Sequence, residues 1–197
     1  MCRQQKPIQK ETAARHPLLL LQIANQSPCR MPKDNSSKTK KPLRRILIPV
    51  DGPIESKHAL LWYIDNMKRD GDLLLFVRVI DPILPSALSA LSIECESMPA
   101  GSSFYIPDSD MRSAKSLCQQ LVQEACKYGI KSEALVQVDT KPGAALVKLI
   151  TEMEINVVVM PHHGFGFWRR NFVGSVSSYI LHHSHVPVSV VPPSNHH

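Results

Sequence analysis

The sequence predicts an α/β domain built on a parallel sheet, and three observations carry that expectation. Short apolar runs rich in Val, Ile and Leu alternate along the chain with longer segments of helical periodicity. The runs are nearly continuous in apolar residues rather than alternating, which suits strands covered on both faces. One run, Ile155 to Met160, is followed by a glycine-containing loop, Gly164-x9-Gly174-Ser175, that opens another helical segment. A strand, a glycine loop and a helix start place free N–H groups and a positive dipole end together, an arrangement suited to an anion such as phosphate.

The first 42 residues stand apart. Residues 1–45 hold 11 Lys/Arg against 2 Asp/Glu, whereas residues 46–197 hold 12 against 15. The basic character therefore belongs to the tail and does not make the domain a nucleic-acid binder. Gln, Ser, Asn, Lys and Pro dominate residues 1–42, so a disordered, solubilising arm is expected. A mitochondrial presequence and a basic docking arm are the alternatives. Residues 43–193 form the expected domain, and 194–197 a short C-terminal tail.

Each element has its own justification. Arg45 to Val50, ending in Asp51-Gly52, reads as the first strand and its turn. Ser56 to Lys68 reads as a helix, because Ala59, Leu60, Tyr63, Ile64 and Met67 share one face. Asp72 to Ile80 is a second strand, apolar in its interior except for Arg78. Asp81 to Pro107 is long, irregular and carries four prolines, the pattern of a binding loop or lid. Met111 to Tyr128 is a helix, with Asp108-Ser109 as its cap and Gly129 as its stop. Glu133 to Val138 is a third strand and Gly143 to Glu152 a helix. Ile155 to Met160 is the fourth strand, Ser175 to His183 the last helix, and Pro187 to Val191 the fifth strand.

Several classes of function are disfavoured. No apolar run approaches the roughly 20 residues of a membrane span. Five scattered cysteines form no C-x-x-C, and Cys118 and Cys126 lie too far apart on one helix to bridge each other, so reduced thiols are expected. The histidines at 162–163, 182–183, 185 and 196–197 share no ligand-like spacing with Cys or carboxylate, which argues against a zinc site. There is no Gly-x-Ser-x-Gly, Walker lysine or Ser-His-Asp order, so no catalytic residue is assigned.

The chain from about Leu43 to Pro192 resembles the universal stress protein family, and the resemblance rests on four places. Ile46-Leu47-Ile48-Pro49-Val50-Asp51-Gly52 resembles its first strand with a terminal aspartate. Phe76-Val77-Arg78-Val79-Ile80-Asp81 resembles the second, where the family often has His-Val. Val157 to Gly164, then Gly174-Ser175-Val176-Ser177, resembles the G-x2-G-x9-G-S/T nucleotide loop. His182-His183-Ser184-His185-Val186-Pro187-Val188 resembles the lead into the last strand.

The resemblance implies a Rossmann-like, adenine nucleotide alpha hydrolase-like fold with strand order 3-2-1-4-5. Its ligand crevice lies between strands one and four, which end at Asp51 and Met160. By the same resemblance Asp51 and Val79 face an adenine, and Pro49 and Val50 line the base pocket. His163, Gly164, Gly174, Ser175, Val176 and Ser177 surround ribose and phosphates. Read singly, Val79 is a core residue, Asp51 begins a turn and Ser175 caps its helix. Pro161 departs from the motif, whose first glycine it replaces; a proline has no N–H and a fixed φ. The implied ligand is ATP or AMP, with or without Mg2+. The implied state is a homodimer joined through Pro187 to Val191, acting as a stress-response switch or scaffold in the cytoplasm on unknown client proteins. A dimer that binds no nucleotide because of Pro161, and a slow ATPase, are the alternatives.

Overall fold

The computed structural model describes residues 44–83, 105–161 and 174–192, and the backbone of 20–23. The elements run β1 (Leu20–Ile23), β2 (Arg44–Pro49), α1 (Pro53–Asn66), β3 (Asp72–Ile80), α2 (Asp108–Lys127), β4 (Lys131–Val138), α3 (Pro142–Glu152), β5 (Val157–Pro161), α4 (Ser175–His183) and β6 (Val188–Val191). They form one six-stranded sheet of order β1-β4-β3-β2-β5-β6. The five strands from β2 onward are parallel, in the predicted order.

The apolar strand runs alternate in side, and this divides the core in two. Ile46, Ile48, Leu74, Phe76, Ala134 and Val136 face α1 and α2, where they meet Leu60, Tyr63, Cys118 and Leu121. Leu47, Leu75, Val77, Leu135, Val158 and Met160 face α3 and α4, where they meet Leu146, Leu149, Ile150 and Ile180. Both faces are covered, so the strands are apolar on both sides.

Element ends differ from expectation by a few residues, for local reasons. α1 begins at Pro53 rather than Ser56, because proline is pre-shaped for a first helical position. α2 takes in Asp108 and Asp110, whose charges suit its positive end, and Pro107 stands at the cap position assigned to Asp108-Ser109. Gly129, at φ 70°, ends it as anticipated. The ends of the expected loop are pinched together by a bridge in which Ile83 and Tyr105 exchange backbone hydrogen bonds of 2.8 and 2.9 Å.

The largest difference lies in the tail. Leu20–Ile23 are not disordered: they form an antiparallel edge strand, with Leu20 opposite Gln137 and Ile23 opposite Ala134. The run Leu18 to Leu21 with Ile23 is too short for a signal peptide, but the outer edge of β4 offers its residues 20–23 unpaired N–H and C=O groups. The thiols also divide. Cys118 is a buried free thiol, which burial pushes up to about 11. Cys126 is disulfide-bonded, contrary to the expectation of reduced thiols.

At the amino ends of β2 and β3, one buried carboxylate gathers four hydrogen bonds from three residues. Asp72 accepts from Arg44 Nε and Nη2 at 2.9 and 2.6 Å, from the Tyr63 hydroxyl at 2.5 Å and from the Arg69 N–H at 3.0 Å. Burial alone would raise its carboxyl, but the hydrogen bonds from Arg44, Tyr63 and the Arg69 backbone outweigh it and hold the group below its ordinary 3.8. Burial, then the bond to Asp72, pushes the Tyr63 phenol well above its ordinary 10.0.

These shifts set the pH limits of stability. The Asp72 contribution is complete above pH 3.8 and is lost as pH falls through the lower folded value. The Tyr63 contribution is complete below pH 10.0 and is lost as pH rises through the higher folded value. Asp72→Ala strands Arg44 and the Tyr63 hydroxyl and should cost about 3–5 kcal/mol near neutrality. Urea unfolding across the acid range checks both points: the variant should be weaker at pH 7 and lose less on acidification than the wild type.

Candidate functional site

The crossovers from β2 and β3 pass over one face of the sheet, and those from β4 and β5 over the other. At the carboxyl ends of β2 and β5 the chain therefore turns away in opposite directions, leaving a crevice. A cavity of about 320 Å³ occupies it, near the lower limit for small-molecule sites.

The cavity is lined by ten of the twelve residues that the family resemblance names. Pro49, Val50 and Asp51 reach it from the end of β2, Val79 from β3, and Met160 and Pro161 from β5. Gly174, Ser175, Val176 and Ser177 close it from the start of α4. His163 and Gly164 lie outside the described residues. Four further residues, Val77, Arg78, Pro142 and Leu146, also line the wall. Arg78 had a visible signal, as the one charge inside an otherwise apolar strand core. Pro142 and Leu146 had none, because only the crossover of α3 brings them there.

Two parts of the cavity lining differ in chemistry. At one, α4 begins at Ser175, with Gly174 at the cap position and no side-chain cap. The Ser178 N–H bonds back to the Gly174 carbonyl at 2.8 Å. The N–H groups before it have no acceptor within the helix. Ser175 is thus the first helical residue rather than the cap. This end suits an anion.

The other part is Asp51. Its backbone N–H donates to the buried Ser56 hydroxyl at 3.2 Å, which holds the turn after β2. Its carboxylate Oδ1 accepts from Arg78 Nη1 at 2.7 Å. The same nitrogen donates to the Val50 carbonyl at 3.0 Å and to the Asp51 carbonyl. One guanidinium thus orients both the carboxylate and the carbonyls of the turn. The Asp51 side chain stays 60% exposed, so the carboxylate is open to solvent. Val50, Val77, Val79, Leu146, Met160 and Val176 also line the cavity, apolar and able to hold a flat ring.

The helices that bring these walls are packed closely. A Cβ at Gly143 would stand 2.9 Å from Cβ of Tyr179, so only glycine lets α3 and α4 approach this far. The described residues contain no cluster of His, Cys, Asp and Glu able to hold a metal ion. No described helix is long and apolar enough to cross a membrane.

Comparison with known proteins adds three findings. The chain is 26% identical over 145 residues to uncharacterized protein C167.05 of Schizosaccharomyces pombe, covering 73% of this chain but only 22% of that longer relative. The fold is similar to a universal stress protein from Archaeoglobus fulgidus solved in complex with dAMP, at 17% identity and TM-score 0.53, covering 76% of this chain and 98% of that one. It is also similar to the Arabidopsis thaliana universal stress protein family protein At3g01520 solved with AMP bound, at 17% identity and TM-score 0.51, covering 77% and 93%. The sequence model of the Universal stress protein family matches residues 42–192, which takes in every parallel strand, all four helices and the whole cavity wall; the chain belongs to that family.

Proposed function

We propose that this chain binds an adenine nucleotide, ATP or AMP, in the crevice between β2 and β5, and acts as a stress-response switch or scaffold rather than a fast enzyme. The observation that carries this reading is the meeting, in one cavity, of an apolar wall, the Asp51 carboxylate and the start of α4, which has no side-chain cap among the described residues. Two relatives of the same fold were solved with AMP and dAMP. Adenine would lie between Val50, Val79 and Met160, with its exocyclic amine directed at Asp51. Ribose and phosphates would lie toward Gly174 to Ser177, and any Mg2+ would come with the phosphates.

Pro161 favours a second reading, a family dimer without nucleotide. It is buried at the end of β5, in register with Val191, and lines the cavity where the motif has glycine. It offers no N–H to a ligand. For the assembly we propose pairing of β6 with its mate. β6 is the outer strand of the sheet on its side, and Val188 and Val190 are only partly covered. An apolar edge of this kind calls for a partner.

Native mass spectrometry of the purified chain should find adenine nucleotide bound, and Gly174→Val should release it. Gly174 has φ −57°, which any residue adopts, so the variant should fold while its side chain fills the space needed by phosphate. A nucleotide-free wild type favours the second reading.

Pro161→Gly restores a backbone donor and should strengthen ATP binding about ten- to a hundredfold if that donor is used. It should also lower stability by roughly 1 kcal/mol through the freer unfolded chain. Titration calorimetry with thermal melting reads both; equal affinities mean the donor plays no part.

Val190→Glu should shift the chain toward monomer in analytical ultracentrifugation. A wild type already monomeric at micromolar concentration would sink the β6 pairing.

A further inference from the structure

Two features meet at the outer margin of β4. One is β1, a strand of four residues paired to that edge. The other is the disulfide of Cys126, in the last turn of α2. α1 packs over β2 and β5, and α2 over β3 and β4. The flank of α2 toward α1 carries Leu117, Gln120, Glu124 and Lys127, with Glu124 3.3 Å from Lys57. Cys126 lies on the opposite flank, one turn after Val122, and so on the side of the margin where β1 pairs.

Cys118 is a free thiol, which leaves Cys2, Cys29 and Cys95 as partners for Cys126. The direction of β1 chooses among them. With Leu20 opposite Gln137 and Ile23 opposite Ala134, its Ile23 end points toward the amino end of β4 and the last turn of α2. Cys29 follows Ile23 by six positions, a reach of up to about 20 Å. Cys2 precedes Leu20 by 18 positions, on the far side of the strand. Cys95 falls between Ile83 and Tyr105, which are bridged beside the start of α2; that helix of 20 residues, about 30 Å long, separates the bridge from Cys126.

We infer that Cys126 is bonded to Cys29, and that this disulfide is a redox-sensitive latch holding β1 on the edge of β4. A dithiol reductant opens it: the S–S bond is exchanged for two cysteine thiols while the dithiol becomes a disulfide. With the latch closed, Ile23 is six positions from its covalent anchor on α2. With it open, the nearest anchor is Arg44, 21 positions away. The local concentration of a tethered segment falls roughly as the −3/2 power of tether length, so reduction should weaken β1 docking about sixfold. The N–H and C=O groups of Ala134–Gln137 that β1 covers then form an open strand edge, which oxidation keeps closed.

The test is non-reducing peptide mapping of the full chain purified without reductant, followed by hydrogen exchange with and without dithiothreitol. Mapping should recover a Cys29–Cys126 peptide. Reduction should speed exchange about sixfold at residues 20–23 and in Ala134–Gln137, and leave the central strands β2 and β5 unchanged. Cys29→Ser and Cys126→Ser should exchange at the reduced rate whether or not dithiothreitol is present; Cys29→Ser serves if Cys126→Ser fails to fold. A Cys126 that is free, or joined to Cys2 or Cys95, overturns the assignment. Unchanged exchange at residues 20–23, or a rise spread evenly over every strand, overturns the latch. A Cys29→Ser chain that still responds to dithiothreitol overturns both.

Discussion

A parallel sheet cannot be made from hairpins, and everything here follows from how the chain meets that constraint. Each parallel strand needs a crossover along a face, and crossovers keep one hand. The chain starts at the centre with β2 and steps outward through β3 to β4, with α1 and α2 on one face. It then returns across the other face with α3, reaching β5 on the far side of β2, and steps outward again with α4. The change of direction falls between β2 and β5. Among the described residues no backbone crosses that boundary at the carboxyl ends, and the cavity is the space left over.

Strands β2 and β3 are joined by an Asp–Arg pair at each end, and the two pairs show how environment divides similar chemistry. Arg44 and Asp72 are register partners at the amino ends. Asp72 is 5% exposed and accepts four hydrogen bonds, so nothing is left for a ligand. It ties α1 to the sheet through Tyr63. At the carboxyl ends Asp51 and Arg78 form a pair open to solvent, where ion pairs add little stability. Its effect is to hold a carboxylate in one orientation at the mouth of a cavity. The same residue types thus serve as a rivet at one end and as a fixed polar edge at the other.

Much of the domain was legible because burial on both faces leaves an unambiguous mark: the apolar runs around Ile46–Ile48, Leu73–Val77 and Val157–Met160 have no other comfortable place. The Asp72–Ile80 strand and the Ser175–His183 helix fall where periodicity put them. The order of the strands and the candidate wall came with the family resemblance rather than from periodicity. What escaped was non-local. Pro142 and Leu146 reach the cavity only because α3 crosses back over the sheet. The Tyr63–Asp72 bond joins residues that no face pattern pairs. Arg78 was conspicuous as a charge among apolar neighbours, yet its partners, the carbonyls of a turn 27 and 28 residues earlier, carry no side-chain signature. The apolar residues of Leu20–Ile23 were visible, but their pairing with β4, more than a hundred residues on, was not.

That small strand makes the two margins of the sheet unequal. β1 covers only Ala134 to Gln137 and is four residues long. A margin so short gives an incoming strand little to zip along. The opposite margin, β6, has no such cover among the described residues. A body with one blunt side and one receptive side can join a copy of itself like to like about a twofold axis, and the joined pair then presents only blunt sides. Growth by strand addition would stop at two, with no route to the head-to-tail stacking that turns sheet proteins into filaments.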